Sequence, residues 1–102
     1  NKKRALIYNI LNIIKKKHKV LLKIDYEISN VYLDEGDCYL SLKINKSANL
    51  VIKNNQLIFT YSLVNSLIDV GIKRVKILGQ NSELFENINV AQFFTEDKSL
   101  VI

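Results

Sequence analysis

His18 and Cys38 are the only imidazole and the only thiol in the chain, and that narrows the chemistry available to it. A metal site built on nitrogen and sulfur needs several such ligands at workable spacing, and one of each does not make a set. The acidic run Asp34, Glu35 and Asp37 lacks the ligand ladder and closing bidentate Glu of a calcium loop, so it reads as a solvated turn. Nucleophilic catalysis needs a Ser or Cys beside a base. The one imidazole lies in Lys17-His18-Lys19, a run that reads as solvent-exposed. Cys38, between Asp37 and Tyr39, reads as a small hydrophobe buried or half-buried in a strand. Nearby carboxylates would raise a thiol pKa, not lower it. A single Cys forms no internal disulfide. The three glycines, Gly36, Gly71 and Gly79, make no phosphate-cradling loop. The expectation is a domain that is not an enzyme and uses no cofactor and no metal.

Charge is the next signal. The net charge is +5, and Lys2, Lys3, Arg4, Lys15, Lys16, Lys17, Lys19 and Lys23 all precede the first acid, Asp25. Lys15, Lys16, Lys17 and Lys19 form the densest basic patch. Such asymmetry suits a nucleic acid or an anionic membrane surface. A KH module needs a Gly-x-x-Gly loop, which is absent here. Tyr32 and Tyr39 can stack bases as an RRM sheet does, but the accompanying aromatic and glycine pattern is missing. A small basic nucleic-acid-binding domain working through the N-terminal helix is the alternative reading, and nucleic acid is not the favoured partner.

The elements that position these residues follow from periodicity. The chain has 102 residues, the size of one ordinary domain, and its 48% apolar and 25% charged content places it in the globular class. Its longest apolar runs fall far short of the roughly 20 residues that span a bilayer. Lys3 to Lys17 reads as a helix with one stripe of Leu6, Ile10, Ile13 and Lys17 and an adjacent one of Ile7, Leu11 and Ile14. Ile24 to Leu33 and Cys38 to Ile44 alternate as strands, joined by a four-residue loop over Asp34-Glu35-Gly36-Asp37. With Leu33 opposite Cys38 and Val31 opposite Leu40, the other side shows Tyr32, Tyr39, Ser41 and Lys43, a wet sheet face. Asn45 to Asn55 reads as a polar connection. Gln56 to Val70 reads as a second helix, with a stripe of Leu57, Tyr61, Val64, Leu67 and Ile68 and with Gly71 as its C′ cap. Lys73 to Leu78 is a third strand, Val75 and Ile77 inward, Arg74 and Lys76 outward, followed by a turn at Gly79-Gln80-Asn81-Ser82. The apolar tail, with Phe85, Ile88, Val90, Phe93 and Phe94, is expected to pack back on the sheet or helices, with room for one or two short strands, Leu84 to Val90 and Ser99 to Ile102. The expected fold is α+β, a two-layer sandwich of order α-β-β-α-β with two helices on one face of a three-stranded sheet and a C-terminal extension.

Two stretches carry a family resemblance. Val31-Tyr32-Leu33-Asp34-Glu35-Gly36-Asp37-Cys38-Tyr39-Leu40-Ser41-Leu42 resembles the hairpin of the GerMN domain, a strand, an x-Gly-x turn and a Tyr-x-x-Leu strand. Tyr61-Ser62-Leu63-Val64-Asn65-Ser66-Leu67 followed by Gly71-Ile72-Lys73-Arg74-Val75-Lys76-Ile77-Leu78 is similar to that family's Tyr-Ser-hydrophobic-Val-Asn-Thr-Leu helix and Gly-Val-x-x-Val-x-Ile strand. Ile88-Asn89-Val90 can be laid on its last extended piece. The chain departs from the pattern at Gly79-Gln80, where the family carries Asp-Gly, and it has no Pro before the third strand.

The resemblance implies a single GerMN-like domain over 1–102, akin to the ring-building motifs of secretion systems. It also implies a non-enzymatic interaction or scaffolding module on the outer side of the bacterial cytoplasmic membrane, as in lipoproteins and membrane-anchored sporulation and germination proteins. The chain begins at Asn1 and is read as a piece of a longer, anchored protein. The implied partners are an envelope protein, a second copy of the chain and, peripherally, the membrane. Two places are candidates for docking: the sheet face at Tyr32, Tyr39 and Lys43, and the rim of the second helix and third strand at Arg74 and Lys76.

Overall fold

Ile7, Leu11, Ile14 and His18 form one buried row along the first helix, α1 (Lys2–Leu21). The computed structural model describes residues 2–46, 53–79 and 92–100. After α1 come strands β1 (Asp25–Asp34) and β2 (Asp37–Lys46), helix α2 (Lys53–Asp69) and strand β3 (Arg74–Gly79). The order α-β-β-α-β is the one the periodicity predicts, and the sheet runs β1-β2-β3, with β1 antiparallel and β3 parallel to the central β2.

The first helix runs four residues past the expected end at Lys17. It closes with Ile24 N–H donating to His18 O, and Lys23 takes the left-handed position at φ 57°. A left-handed residue at the end of a helix is usually Gly. The second helix ends in a Schellman arrangement, with Ile72 N–H on Leu67 O, Gly71 N–H on Ile68 O and Gly71 at φ 101°, the predicted cap. Of the two stripes read on α1, only the one through Ile7, Leu11 and Ile14 is buried. Leu6 and Ile13 face outward.

On α2 the buried row is Phe59, Leu63, Val64 and Leu67, with Leu57, Tyr61 and Ile68 half-buried beside it. The helix begins at Lys53, so it takes in the last residues of the expected connection.

The hairpin turn is tighter than the expected four-residue loop. Asp34 and Asp37 pair, leaving Glu35 at φ 50° and Gly36 at φ 92° as the only turn residues. Positive φ at both central positions is the type I′ turn, whose twist matches the strands. Strand alternation alone would not keep both Tyr26 and Val31 on the core face. A register shift between Ile28 and Asn30 absorbs one residue at Ser29, so Tyr26 and Val31 are both buried.

The helices pack on this inner face around Val31, Cys38, Leu40, Leu42, Val75 and Ile77. Cys38 is fully buried, and its burial pushes the thiol pKa up to about 11.

Residues 92–100 return to the sheet, as expected of the tail. Val75 and Phe94 exchange two backbone hydrogen bonds, 2.9 and 2.7 Å, on the edge of β3. Ser99 and Leu100 lie in a turn rather than the expected strand, because Asp97 Oδ1 accepts from Ser99 N–H and Oγ–H and curls the chain. The expected strand over Leu84 to Val90 and the turn from Gln80 lie outside the described residues. Among the described residues no helix is long and apolar enough to cross a membrane.

Candidate functional site

Two groups of side chains invite a functional reading, one inside the molecule and one on the open face of the sheet. The inner group centres on His18, which is fully buried and not solvent-exposed as the lysines beside it suggest. It lies four residues after Ile14 and seven after Leu11, so helical geometry turns it inward while Lys17 and Lys19 point out. Tyr26 Oη lies 2.7 Å from Nδ1, and Ser62 Oγ lies 2.5 Å from Nε2. Phe59 packs on both rings, 4.9 Å from His18 and edge-on to Tyr26 at 5.1 Å.

A Ser beside an imidazole held by a third group has the outline of a nucleophile and base, but the protons argue otherwise. Ser62 Oγ–H donates to Phe59 O at 2.9 Å. Ser62 Oγ therefore accepts from Nε2–H, and Nδ1 accepts from the Tyr26 hydroxyl. The other tautomer would leave the buried Tyr26 proton without an acceptor among the described residues. Every polar hydrogen in the chain Tyr26–His18–Ser62–Phe59 is thus already committed. Burial also lowers the His18 pKa from 6.5 to about 4, too weak a base to take a serine proton near neutrality. Ser62 borders a groove of about 220 Å³ with Asn65 and Lys17, smaller than an ordinary ligand pocket. The arrangement is a satisfied polar core. Among the described residues no three His, Cys, Asp or Glu gather where a metal ion could be held.

The outer group lies on the sheet face away from the helices. Register places Tyr32 opposite Tyr39, and Tyr39 beside Lys76. Two residues along, the next pair on that face, Asp37 lies beside Arg74. The two docking places read from the sequence are therefore one surface, because β3 runs parallel to β2 and presents Arg74 and Lys76 on the face that carries the tyrosines. Lys43 lies on the same face four residues along β2 from Tyr39, about 13 Å away at strand spacing, and pairs across to Glu27.

Phe93 completes the cluster. Residues 93 and 94 alternate across the sheet edge, so Phe94 is buried against Tyr61 at 5.7 Å while Phe93 turns outward onto Tyr39 at 5.5 Å. The Arg74 guanidinium lies 4.0 Å over the Phe93 ring and Lys76 Nζ 5.6 Å from it. Arg74 also grips Asp37 through two hydrogen bonds, 3.0 and 2.6 Å. That contact holds the Asp37 carboxyl below its ordinary pKa and raises that of Arg74. Tyr32, tilted against Tyr39 at 5.8 Å, remains 58% exposed. The sequence reading placed Phe93 in the packing tail and not on this surface. The signal was the Phe93-Phe94 doublet itself, since adjacent residues of an extended segment face opposite ways.

The basic patch lies elsewhere. Lys15, Lys16, Lys17 and Lys19 are on α1, with the sheet between them and the tyrosines. Lys15, Lys16 and Lys19 border a shallow groove with Asn12 and Asp25. No family model matches the chain, and no curated protein or solved structure matches it.

Proposed function

We propose that the chain is a non-enzymatic protein-interaction module of the bacterial cell envelope, carried by an anchored protein, whose working surface is the outer face of the sheet. One observation carries the choice of surface: Arg74, locked to Asp37, lies over Phe93, which rests on Tyr39 beside the exposed Tyr32. Aromatic residues and Arg on a rigid support are what the centres of protein interfaces are made of. The side chains are pre-ordered by one another, so docking freezes little further motion. The envelope part of the reading rests on the GerMN-like hairpin and helix. Three residues of that helix have a clear structural use: Tyr61 packs on Phe94, Ser62 holds His18, and Asn65 holds Asp97.

A photo-crosslinking residue at Tyr32, in cells that make the protein, tests the reading. A single envelope protein is expected in the crosslink, and Arg74→Glu is expected to abolish it. A crosslink indifferent to Arg74→Glu, or recovery of the protein in the cytosol on fractionation, would sink the proposal. The nucleic-acid alternative works through the basic patch on the first helix, and the tyrosines that could stack bases lie on the other side of the sheet and would not share that contact. A mobility shift at low salt that weakens steeply with added salt would restore it.

A further inference from the structure

Helix α1 carries a second, independent surface. Leu6, Ile13 and Val20 recur every seven residues, so they drift only about 20° per step around the helix, and they are 47%, 58% and 66% exposed. The row spans about 21 Å at 1.5 Å per residue. Leu21, 60% exposed, lies beside Val20, about 100° round the helix from it. Exposed Lys16 flanks the row on one side and exposed Lys17 on the other, with Lys2 in line at the start. No acid occurs before Asp25. We infer that this face of α1 lies against an anionic lipid surface, with the aliphatic row in the interfacial layer and the lysines on the headgroups.

Charge and pattern select this occupant over two others. A second copy would bring Lys2, Lys16 and Lys17 against their own kind, where like charges repel. A coiled-coil seam also needs apolar residues at two positions per heptad, and here one neighbouring position holds Asn9 and Lys16 and the other Lys3, Ile10 and Lys17, of which Ile10 already packs against the core. A nucleic acid would answer the lysines but would leave three aliphatic side chains against phosphate. A flat amphipathic helix with a basic border fits the headgroup boundary of a bilayer on both counts. Three side chains and a few lysines make a weak, reversible, salt-sensitive contact. It sets orientation: with α1 on the membrane, the Tyr32–Arg74 face points away from it, open to a partner.

The test uses the purified chain and vesicles of phosphatidylcholine with or without about one third phosphatidylglycerol. The chain contains no Trp, so Ile13→Trp supplies a single reporter. Cosedimentation and a blue shift of that emission are expected with the anionic vesicles at low salt, and neither with phosphatidylcholine alone. Val20→Asp, and separately Lys16→Gln with Lys17→Gln, should each weaken binding by about tenfold while leaving thermal melting in place, because all three side chains are exposed. The inference is overturned by any of three results: no binding at low salt, binding indifferent to both variants, or a Val20→Asp variant that changes oligomeric state instead. Tighter binding of the chain to a single-stranded oligonucleotide than to the vesicles would also overturn it. The Tyr32 crosslink concerns the opposite side of the molecule, so either reading can fail without the other.

Discussion

The side-chain amide of Asn65 and the backbone of Asp97 exchange two hydrogen bonds of 2.8 Å, Asp97 N–H to Oδ1 and Nδ2–H to Asp97 O. The amide thus imitates the edge of a strand and ties the returning tail to α2, with Leu100 O a third, longer contact at 3.4 Å. Asn65→Ala is expected to cost about 1–2 kcal/mol, and its effect should be local. Amide exchange at Phe94 and Asp97 should quicken more than exchange in β2. Asn65→Asp should be no rescue, since a carboxylate can accept from Asp97 N–H but meets the carbonyl oxygen without a proton. Uniform acceleration across the sheet would show that the tail does not open as a unit.

The buried imidazole makes stability depend on pH in a defined window. In the unfolded chain His18 titrates near 6.5, and in the folded protein burial lowers it to about 4. Between those values the unfolded chain binds a proton that the folded one refuses. Stability is therefore flat above about pH 7 and falls as the pH drops from 6.5 toward 4, by about 3 kcal/mol in all. Asp37 contributes in a lower window. Its depressed folded pKa means its share is lost only below the ordinary carboxylate value of 3.8. Urea unfolding at pH 7.5, 5.5 and 4.5 checks the slope. His18→Phe should remove most of it, at a cost of about 2–4 kcal/mol from the stranded hydroxyls of Tyr26 and Ser62. An unchanged slope in that variant would assign the pH dependence to other groups.

How much of this was legible depends on whether the cause is local. Alternation through Val31, Leu33, Cys38 and Leu40 with Gly36 between fixes the hairpin and its register, and Gly71 marks the end of α2, because each signal lies within a few residues of its effect. The end of α1 is not legible in that way, since its left-handed cap is Lys23 and carries no glycine signature. His18 was read by its charged neighbours when its spacing from Leu11 and Ile14 held the answer. The union of Tyr32 and Tyr39 with Arg74 and Lys76 depends on β3 docking parallel to β2, a pairing of distant segments that no local pattern encodes.

Thr60 is fully buried, and among the described residues its Oγ1 has no hydrogen-bond partner. A desolvated hydroxyl without a partner costs stability. Val has nearly the same shape without the hydroxyl, so Thr60→Val is expected to stabilise by about 1 kcal/mol, read as a higher denaturation midpoint at unchanged m-value. Thr60→Ser keeps the hydroxyl and opens a methyl-sized gap, and should destabilise by about 1 kcal/mol. If Thr60→Val destabilises instead, the hydroxyl is satisfied after all and the account of this position fails.

Two positive-φ positions should respond to substitution with opposite signs. Lys23, at φ 57°, closes α1 where glycine is the usual residue. Lys23→Gly relieves the left-handed strain of about 1 kcal/mol, offset in part by greater freedom of the unfolded chain, for a net gain of about 0.5 kcal/mol. Gly36, at φ 92°, presents the converse case. An added Cβ would come within 2.9 Å of Lys73 Cδ, a flexible side chain that can move aside. The backbone cannot yield as readily, because Gly36 O accepts the Lys73 N–H at 2.7 Å and so ties the turn to the start of β3. Gly36→Ala is therefore expected to cost about 1–2 kcal/mol, chiefly from φ. Gly36→Asn, which tolerates the left-handed region better, should cost less despite its larger side chain. Thermal melts of the three variants decide between strain and crowding. If Asn proves worse than Ala at this position, contact with Lys73 outweighs the backbone and the explanation from φ is wrong.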